Sequence, residues 1–181
     1  MTDPEDLSGF LDLAWRRLDR RPGAGRDPLL MTLATVAPDG WPEARMVVLR
    51  GADRAAGRLE IHTDTATAKV TALQADPRAE LVFWDAGADL QIRAALRVSI
   101  LPQAAGRWAQ IPESSRMAYG TRPAPGSPIP SAFAYDKTPD PARFAALIGQ
   151  VEAFDLVHLG PRHRRARFLA ADGWRGQWLA P

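Results

Sequence analysis

From residue 90 to residue 100 every second position is apolar. Leu90, Ile92, Ala94, Leu96, Val98 and Ile100 alternate with Gln91, Arg93, Ala95, Arg97 and Ser99. A period of two predicts a strand with one buried face and one largely polar face. Shorter runs of the same kind predict strands at 30–36, 43–50, 59–63 and 79–84, and Pro38-Asp39-Gly40 reads as the turn joining the first two into a hairpin. Three more strands are expected at 151–159, 165–170 and 174–179. Helical spacing is clearest near the N-terminus, where Leu7, Phe10, Leu11, Ala14, Trp15 and Leu18 share one face of a helix over 5–19. Further helices are expected over 66–75, 103–109, 112–119 and 140–149. Arg20-Arg21-Pro22-Gly23-Ala24-Gly25 reads as a linker, and the proline-rich stretch 121–131 as a loop. Strands dominate and the turns within hairpins are short. The expected fold is mainly β with peripheral helices, an antiparallel barrel rather than a parallel α/β sheet. Residues 1–28 would form a helix and linker, and 29–181 the barrel domain.

Composition narrows the class. Hydrophobic residues make up 46% of the 181 positions, enough to fill a core. No apolar run approaches the ~20 residues of a membrane span, so no membrane partner is expected. The opening MTDPEDLSGF is acidic and polar, unlike a secretory signal. Without cysteine there is no disulfide framework, thiolate metal site or cysteine nucleophile. The expectation is a cytoplasmic protein. Net charge is only +2, and of 23 basic residues just Lys69 and Lys137 are lysines. Nucleic-acid binding would need a concentrated basic stripe. The run Arg162-His163-Arg164-Arg165-Ala166-Arg167 is the best candidate, but such runs are commonly solvated faces. No nucleic-acid partner is expected, and a basic module built on 162–167 is the weakest alternative.

Two stretches carry candidate chemistry. The first is Arg45-Met46-Val47-Val48-Leu49-Arg50, an apolar strand bracketed by guanidinium groups. Five positions apart, the arginines lie on opposite faces of a regular strand unless a bulge intervenes. The second is His62-Thr63-Asp64-Thr65-Ala66-Thr67-Ala68-Lys69, where a strand ends and a helix begins. A helix N-terminus offers unpaired N–H groups and the positive end of a dipole, and threonine hydroxyls and a lysine there suit an anion. The competing reading is that Thr65 or Thr67 simply caps the helix. If strands 43–50 and 59–63 are neighbours, Arg45 and Lys69 converge on one phosphate. Gln91 and Arg93 lie on the polar face of their strand, and a glutamine amide suits the edge of a heterocycle. His62, His158 and His163 have no metal-ligand spacing, and no metal is expected. G-x-G-x-x-G, the P-loop and G-x-S-x-G are all missing.

In this order the motifs Ala34-Thr35-Val36…Asp39-Gly40, Arg45 to Arg50, His62 to Lys69, Asp76-Pro77-Arg78, Leu90-Gln91-Ile92 and the ending Gly173-Trp174…Leu179-Ala180-Pro181 resemble the pyridoxamine 5'-phosphate oxidase-like flavoproteins. The likeness runs from about 29 to 181, with 102–150 poorly aligned. It implies an FMN-binding split barrel of Greek-key topology, with the flavin at a homodimer interface. Arg45 to Arg50 matches the family segment R-x-V-L-L-K. The resemblance thus gives Arg45 the FMN phosphate and lines the flavin ring with the backbone of Met46, Val47 and Val48. His62 and Thr63 match a Tyr-Thr pair, Thr67 and Lys69 belong to the phosphate cradle, and Gln91 matches a flavin-contacting glutamine. Arg167 matches an arginine near FMN, while Arg50 and Arg165 fall on the substrate side.

The chain also departs from the family. Ala68 stands where the cradle has arginine, and Arg50 where the family has lysine. Val157 aligns with a tryptophan, and His163 and Arg165 look exchanged within the Arg-x-His-x-Arg cluster. The expected function is an FMN-dependent oxidoreductase acting on a small-molecule substrate. The alternatives are a genuine pyridoxamine 5'-phosphate oxidase or a flavin-binding sensor without catalysis.

Overall fold

The computed structural model describes residues 5–19 and 28–181; the linker expected at 20–25 lies outside them. Helix α1 (Leu7–Leu18) opens the described chain, with the Asp6 carboxylate accepting from the Gly9 N–H at 2.7 Å. Strands β1 (Leu30–Val36), β2 (Pro42–Asp53) and β3 (Arg58–Asp64) follow as consecutive hairpins. Helix α2 (Ala68–Ala75) then carries the chain to β4 (Arg78–Asp85), which pairs with the far side of β1. The resulting order β3-β2-β1-β4 is a Greek key. Strand β5 (Leu90–Pro102) pairs with β4. An excursion then holds the short helices α3 (Ala105–Gln110) and α4 (Glu113–Arg116) and a two-stranded ribbon, β6 (Thr121–Arg122) with β7 (Asp136–Lys137).

Closure depends on β8 (Phe144–His158). Its first half pairs with β3 on one edge and β5 on the other, so six strands form a closed antiparallel barrel. Its second half leaves β3 and pairs instead with β9 (Arg164–Leu169), which β10 (Gly176–Leu179) extends. The sheet therefore splits along β8, as expected of a split barrel.

The helix expected over 140–149 is not formed. A single 3-10 turn spans Pro141–Arg143, and β8 starts at Phe144. Phe144, Ala145, Ala146 and Leu147 are all buried, because the strand has the barrel core on one side and packed aromatic rings on the other. A short run buried on both faces shows no period that separates strand from helix. The expected strand at 151–159 is thus the second half of one longer strand. The helix expected over 112–119 is limited to α4, and the loop 121–131 contains only β6.

The core is the barrel interior, with Met31, Leu33, Leu59, Leu81, Leu90 and Ile92 almost fully buried. Helix α1 covers one opening with Phe10, Trp15 and Leu18. The Trp15 ring meets Phe154 edge-on at 5.1 Å, and Trp174 lies 5.7 Å from the same phenylalanine. No helix among the described residues is long and apolar enough to cross a membrane. Phe154 thus ties α1 to the barrel, and Phe154→Ala is expected to cost about 3–5 kcal/mol through the cavity it leaves. Urea unfolding followed by tryptophan fluorescence measures this; a loss under ~1 kcal/mol would show that α1 docks without it.

Candidate functional site

Strand β2 runs antiparallel to both β1 and β3, which places Arg45 opposite Leu33. The guanidinium lies on the buried side of β2, shared with Val47 and Leu49. Its Nη1 donates to the Thr35 hydroxyl at 2.6 Å and to the Leu33 carbonyl at 3.3 Å. Its Nη2 lies 2.5 Å from the Glu43 carboxylate.

The strand-to-helix turn after β3 supplies the rest of this cluster. Lys69 donates to the Thr63 hydroxyl at 3.2 Å, which in turn lies 3.2 Å from the Thr67 hydroxyl. Thr67 donates onward to the Asp64 carbonyl at 2.8 Å. The capping reading is therefore not realised: Thr67 occupies the N-cap position, but its hydroxyl caps no helix amide. The Val70 N–H turns back to the Thr67 carbonyl at 2.9 Å, which leaves the Ala68 and Lys69 N–H groups of the first turn without a partner among the described residues. Burial pushes the Lys69 ammonium pKa below its ordinary value; the Arg45 charge lowers it further, and Asp64 partly opposes both. Arg45 and Lys69 are thus close enough to repel each other.

The Asp64 carboxylate offsets this pair only in part, its own bonds being made elsewhere. It accepts from the Ala66 N–H at 2.8 Å and the Gly120 N–H at 2.9 Å, and forms an ion pair with Arg143 at 2.7 Å. Two like charges, two hydroxyls and the first amides of a helix form a cradle of the kind an anion would need.

Arg50 is the extra residue of a bulge: Leu49 faces Ile61 and Gly51 faces Glu60, two steps on β2 against one on β3. It lies near the Tyr119 hydroxyl and acts on its charge. Burial raises the Tyr119 pKa, and Arg50 opposes the rise. Tyr119, Trp108, Phe144 and His62 form a ring cluster with centroids 5.0–5.9 Å apart. His62 faces outward from β3, its Nε2 at 2.8 Å from Glu60, and its buried Nδ1 has no partner among the described residues. Arg107 of α3 reaches the same Glu60 oxygen at 2.7 Å. Burial alone would raise the Glu60 pKa, but the bonds to His62 and Arg107 outweigh it and hold it at about 2.

The remaining candidates lie on the outer face of the sheet. One row crosses it in register: Met46, Thr32, Val82, Arg93, Asp155 and Arg167. Gln91 sits beside it, opposite Trp84 and Val157. Arg93 bonds Glu80 at 2.6 Å, and Arg165 holds Asp155 through two contacts at 3.0 and 2.8 Å. Arg167 lines a small pocket of about 190 Å³ with Arg93 and Asp155. The structure therefore joins Arg45, Thr63, Thr67 and Lys69 in one cradle. Gln91, Arg165 and Arg167 stand apart on the outer face, and Arg50 and His62 in the ring cluster. The basic run 162–167 is no stripe, since Arg165 is held by Asp155 and Arg164 lies over the Phe10 ring at 5.9 Å. The sequence reading missed Thr35 and Glu43, although Glu43 shares a strand face with Arg45 at i−2. It also missed Asp64 with Arg143, whose pairing spans 79 positions and leaves no local signal.

A family model for pyridoxamine 5'-phosphate oxidase matches residues 25–154. The chain belongs to that family. A pyridoxine/pyridoxamine 5'-phosphate oxidase of Rhodopseudomonas palustris strain TIE-1 is 32% identical over 160 residues, covering 86% of this chain and 65% of that protein. One from Azorhizobium caulinodans is 53% identical over 57 residues, 32% of this chain and 26% of the relative. The match thus spans from about a quarter to just under two thirds of these relatives. Among solved structures, a pyridoxamine 5'-phosphate oxidase-related, FMN-binding protein from Nostoc punctiforme superposes with TM-score 0.72 at 26% identity, covering 84% of this chain and 87% of the other. PhzG from Burkholderia lata shares the fold at TM-score 0.70 and 17% identity, covering 97% and 90% of the two chains.

The Glu60 bonds give a pH test. A carboxylate held at about 2 against an ordinary 4.5 adds stability that is present above about 4.5 and lost as pH falls toward about 2. Glu60→Gln is expected to lower neutral-pH stability and flatten the pH dependence across that window. Denaturant unfolding at pH 7, 4 and 3 checks it; an unchanged acid slope would show that Arg107 and His62 do not hold Glu60.

Proposed function

We propose that this chain binds FMN, with the phosphate in the cradle of Arg45, Thr63, Thr67 and Lys69, and acts as an FMN-dependent oxidoreductase on a small substrate. The observation that carries the reading is the cradle itself: Lys69, partly buried beside the like charge of Arg45 at a helix start, bonds a hydroxyl and no carboxylate. A dianionic phosphate relieves that repulsion and gives the hydroxyls and amides an acceptor. The Nostoc relative, described as FMN binding, supports the choice of cofactor.

A bound flavin supplies hydride or two-electron chemistry. The chain's own residues bind, orient and set the local field. The backbone of Met46 to Val48 runs alongside the cradle as a wall for the ring. Arg50, near the Tyr119 hydroxyl and in no ion pair among the described residues, has a charge to offer an anionic group of the substrate. Arg165, already neutralised by Asp155, is the weaker substrate candidate of the two. That tie favours, as a second reading, a substrate other than pyridoxamine 5'-phosphate, or a flavin protein without turnover. Turnover of pyridoxamine 5'-phosphate with hydrogen peroxide release would decide for the genuine oxidase.

Losing a charge-assisted phosphate contact costs about 1.5–3 kcal/mol, so Lys69→Ala is expected to weaken FMN binding roughly tenfold or more. Flavin fluorescence titration measures it, after the chromophore released from the purified protein has been identified by mass. Unchanged affinity would move the phosphate elsewhere.

We further propose a homodimer packed over the outer sheet face. There Met46, Leu30, Trp84 and Val36 are 59%, 50%, 46% and 41% exposed, an apolar patch beside the charged row. Packing two copies over this face would bring Gln91 and Arg167 toward a partner's cradle. Leu30→Glu is expected to convert the dimer to a folded monomer in sedimentation velocity. A wild-type protein that sediments as a monomer would remove this arrangement.

A further inference from the structure

We propose that Glu43 is a built-in competitor for phosphate, setting how strongly the cradle prefers a phosphorylated flavin over its dephosphorylated form. The inference rests on the flavin reading above and assigns a specificity role to a residue outside the expected binding set.

Glu43 lies two positions before Arg45 on β2, and its carboxylate takes Nη2 at 2.5 Å. That carboxylate is itself 36% exposed, so it can swing into water. The guanidinium does not depend on it for position. Nη1 is fixed by the Thr35 hydroxyl at 2.6 Å, the Leu33 carbonyl at 3.3 Å and the backbone carbonyl of Glu43 at 3.4 Å. With Arg45 anchored on that side, the remaining effect of the Glu43 side chain is electrostatic. A dianion entering beside Arg45 either displaces the carboxylate from Nη2 or sits close to a like charge, and both oppose binding.

The neighbouring carboxylate, Asp64, does not play this part. It is buried and held by Ala66, Gly120 and Arg143, so it cannot leave when an anion arrives. The charges that act on Lys69 are Arg45 and Asp64, and Glu43 is not among them. The cradle is therefore asymmetric. Its Lys69 side is offset only in part, by a carboxylate fixed elsewhere, and its Arg45 side carries a movable counter-charge. A ligand without phosphate gains nothing by displacing Glu43 and loses nothing by leaving it in place.

The test compares dissociation constants of FMN and riboflavin for the wild-type protein, Glu43→Gln and Lys69→Ala by flavin fluorescence. Glu43→Gln is expected to tighten FMN roughly two- to five-fold, the range of a half-exposed ion pair given up on binding, and to leave riboflavin unchanged. FMN binding that weakens or stays the same in Glu43→Gln overturns the proposal and makes Glu43 a positioning residue for Arg45. Equal changes for both ligands also overturn it, since they report a general effect on the fold. Loss of FMN selectivity in Lys69→Ala alongside an unaltered Glu43→Gln would sink the Glu43 role while leaving the flavin reading in place. Wild-type protein that fails to bind FMN overturns both.

Discussion

Strand β8 is hydrogen-bonded along both edges for most of its length, and the rest of the molecule follows from that. Its first half joins β3 to β5 and shuts the barrel. Its second half carries β9 and β10 out of the barrel and gives the outer face its charged row. A strand buried on both faces must be apolar almost throughout its first half, so Phe144 to Leu147 carry no polar positions. The same closure orders the turn from β3 into α2. Asp64, the last residue of β3, gathers donors from its own turn, from Gly120 in the excursion and from Arg143 just before β8. The anion cradle is thus held from three separate parts of the chain.

Arginine is abundant here, and the informative question is which guanidinium groups already have a carboxylate. Arg93, Arg107, Arg143 and Arg165 do, through Glu80, Glu60, Asp64 and Asp155. Arg45 has one that is partly in water, and Arg50 lies near a phenol. Lys69, one of two lysines in the chain, has a hydroxyl. Arg45, Arg50 and Lys69, none of them held by a buried carboxylate, border β2 and the start of α2.

Alternation made β1 to β5 legible, because each has one face in the core and the other in polar surroundings. It failed at 140–149, where both faces are buried and the period vanishes. Opposite-face placement of Arg45 and Arg50 followed from counting positions, and the bulge that carries Arg50 left no mark in the residue types. The convergence of Arg45 and Lys69 was readable once β2 and β3 were taken as neighbours, since hairpin register fixes which ends meet. The ring cluster around Phe144 was not readable. It draws His62, Trp108, Tyr119 and Phe144 from three distant segments, and only the folded path of the excursion brings them together.

Closing the barrel also disposes of its edges. Among the described residues every strand of the main sheet but β10, four residues long, has a strand neighbour on both sides, and the Phe10 ring of α1 stacks on Trp178 of β10 at 5.7 Å. So short and partly covered an edge is a poor template for adding another strand. A second copy meeting this sheet would therefore meet side-chain faces rather than a long open backbone edge.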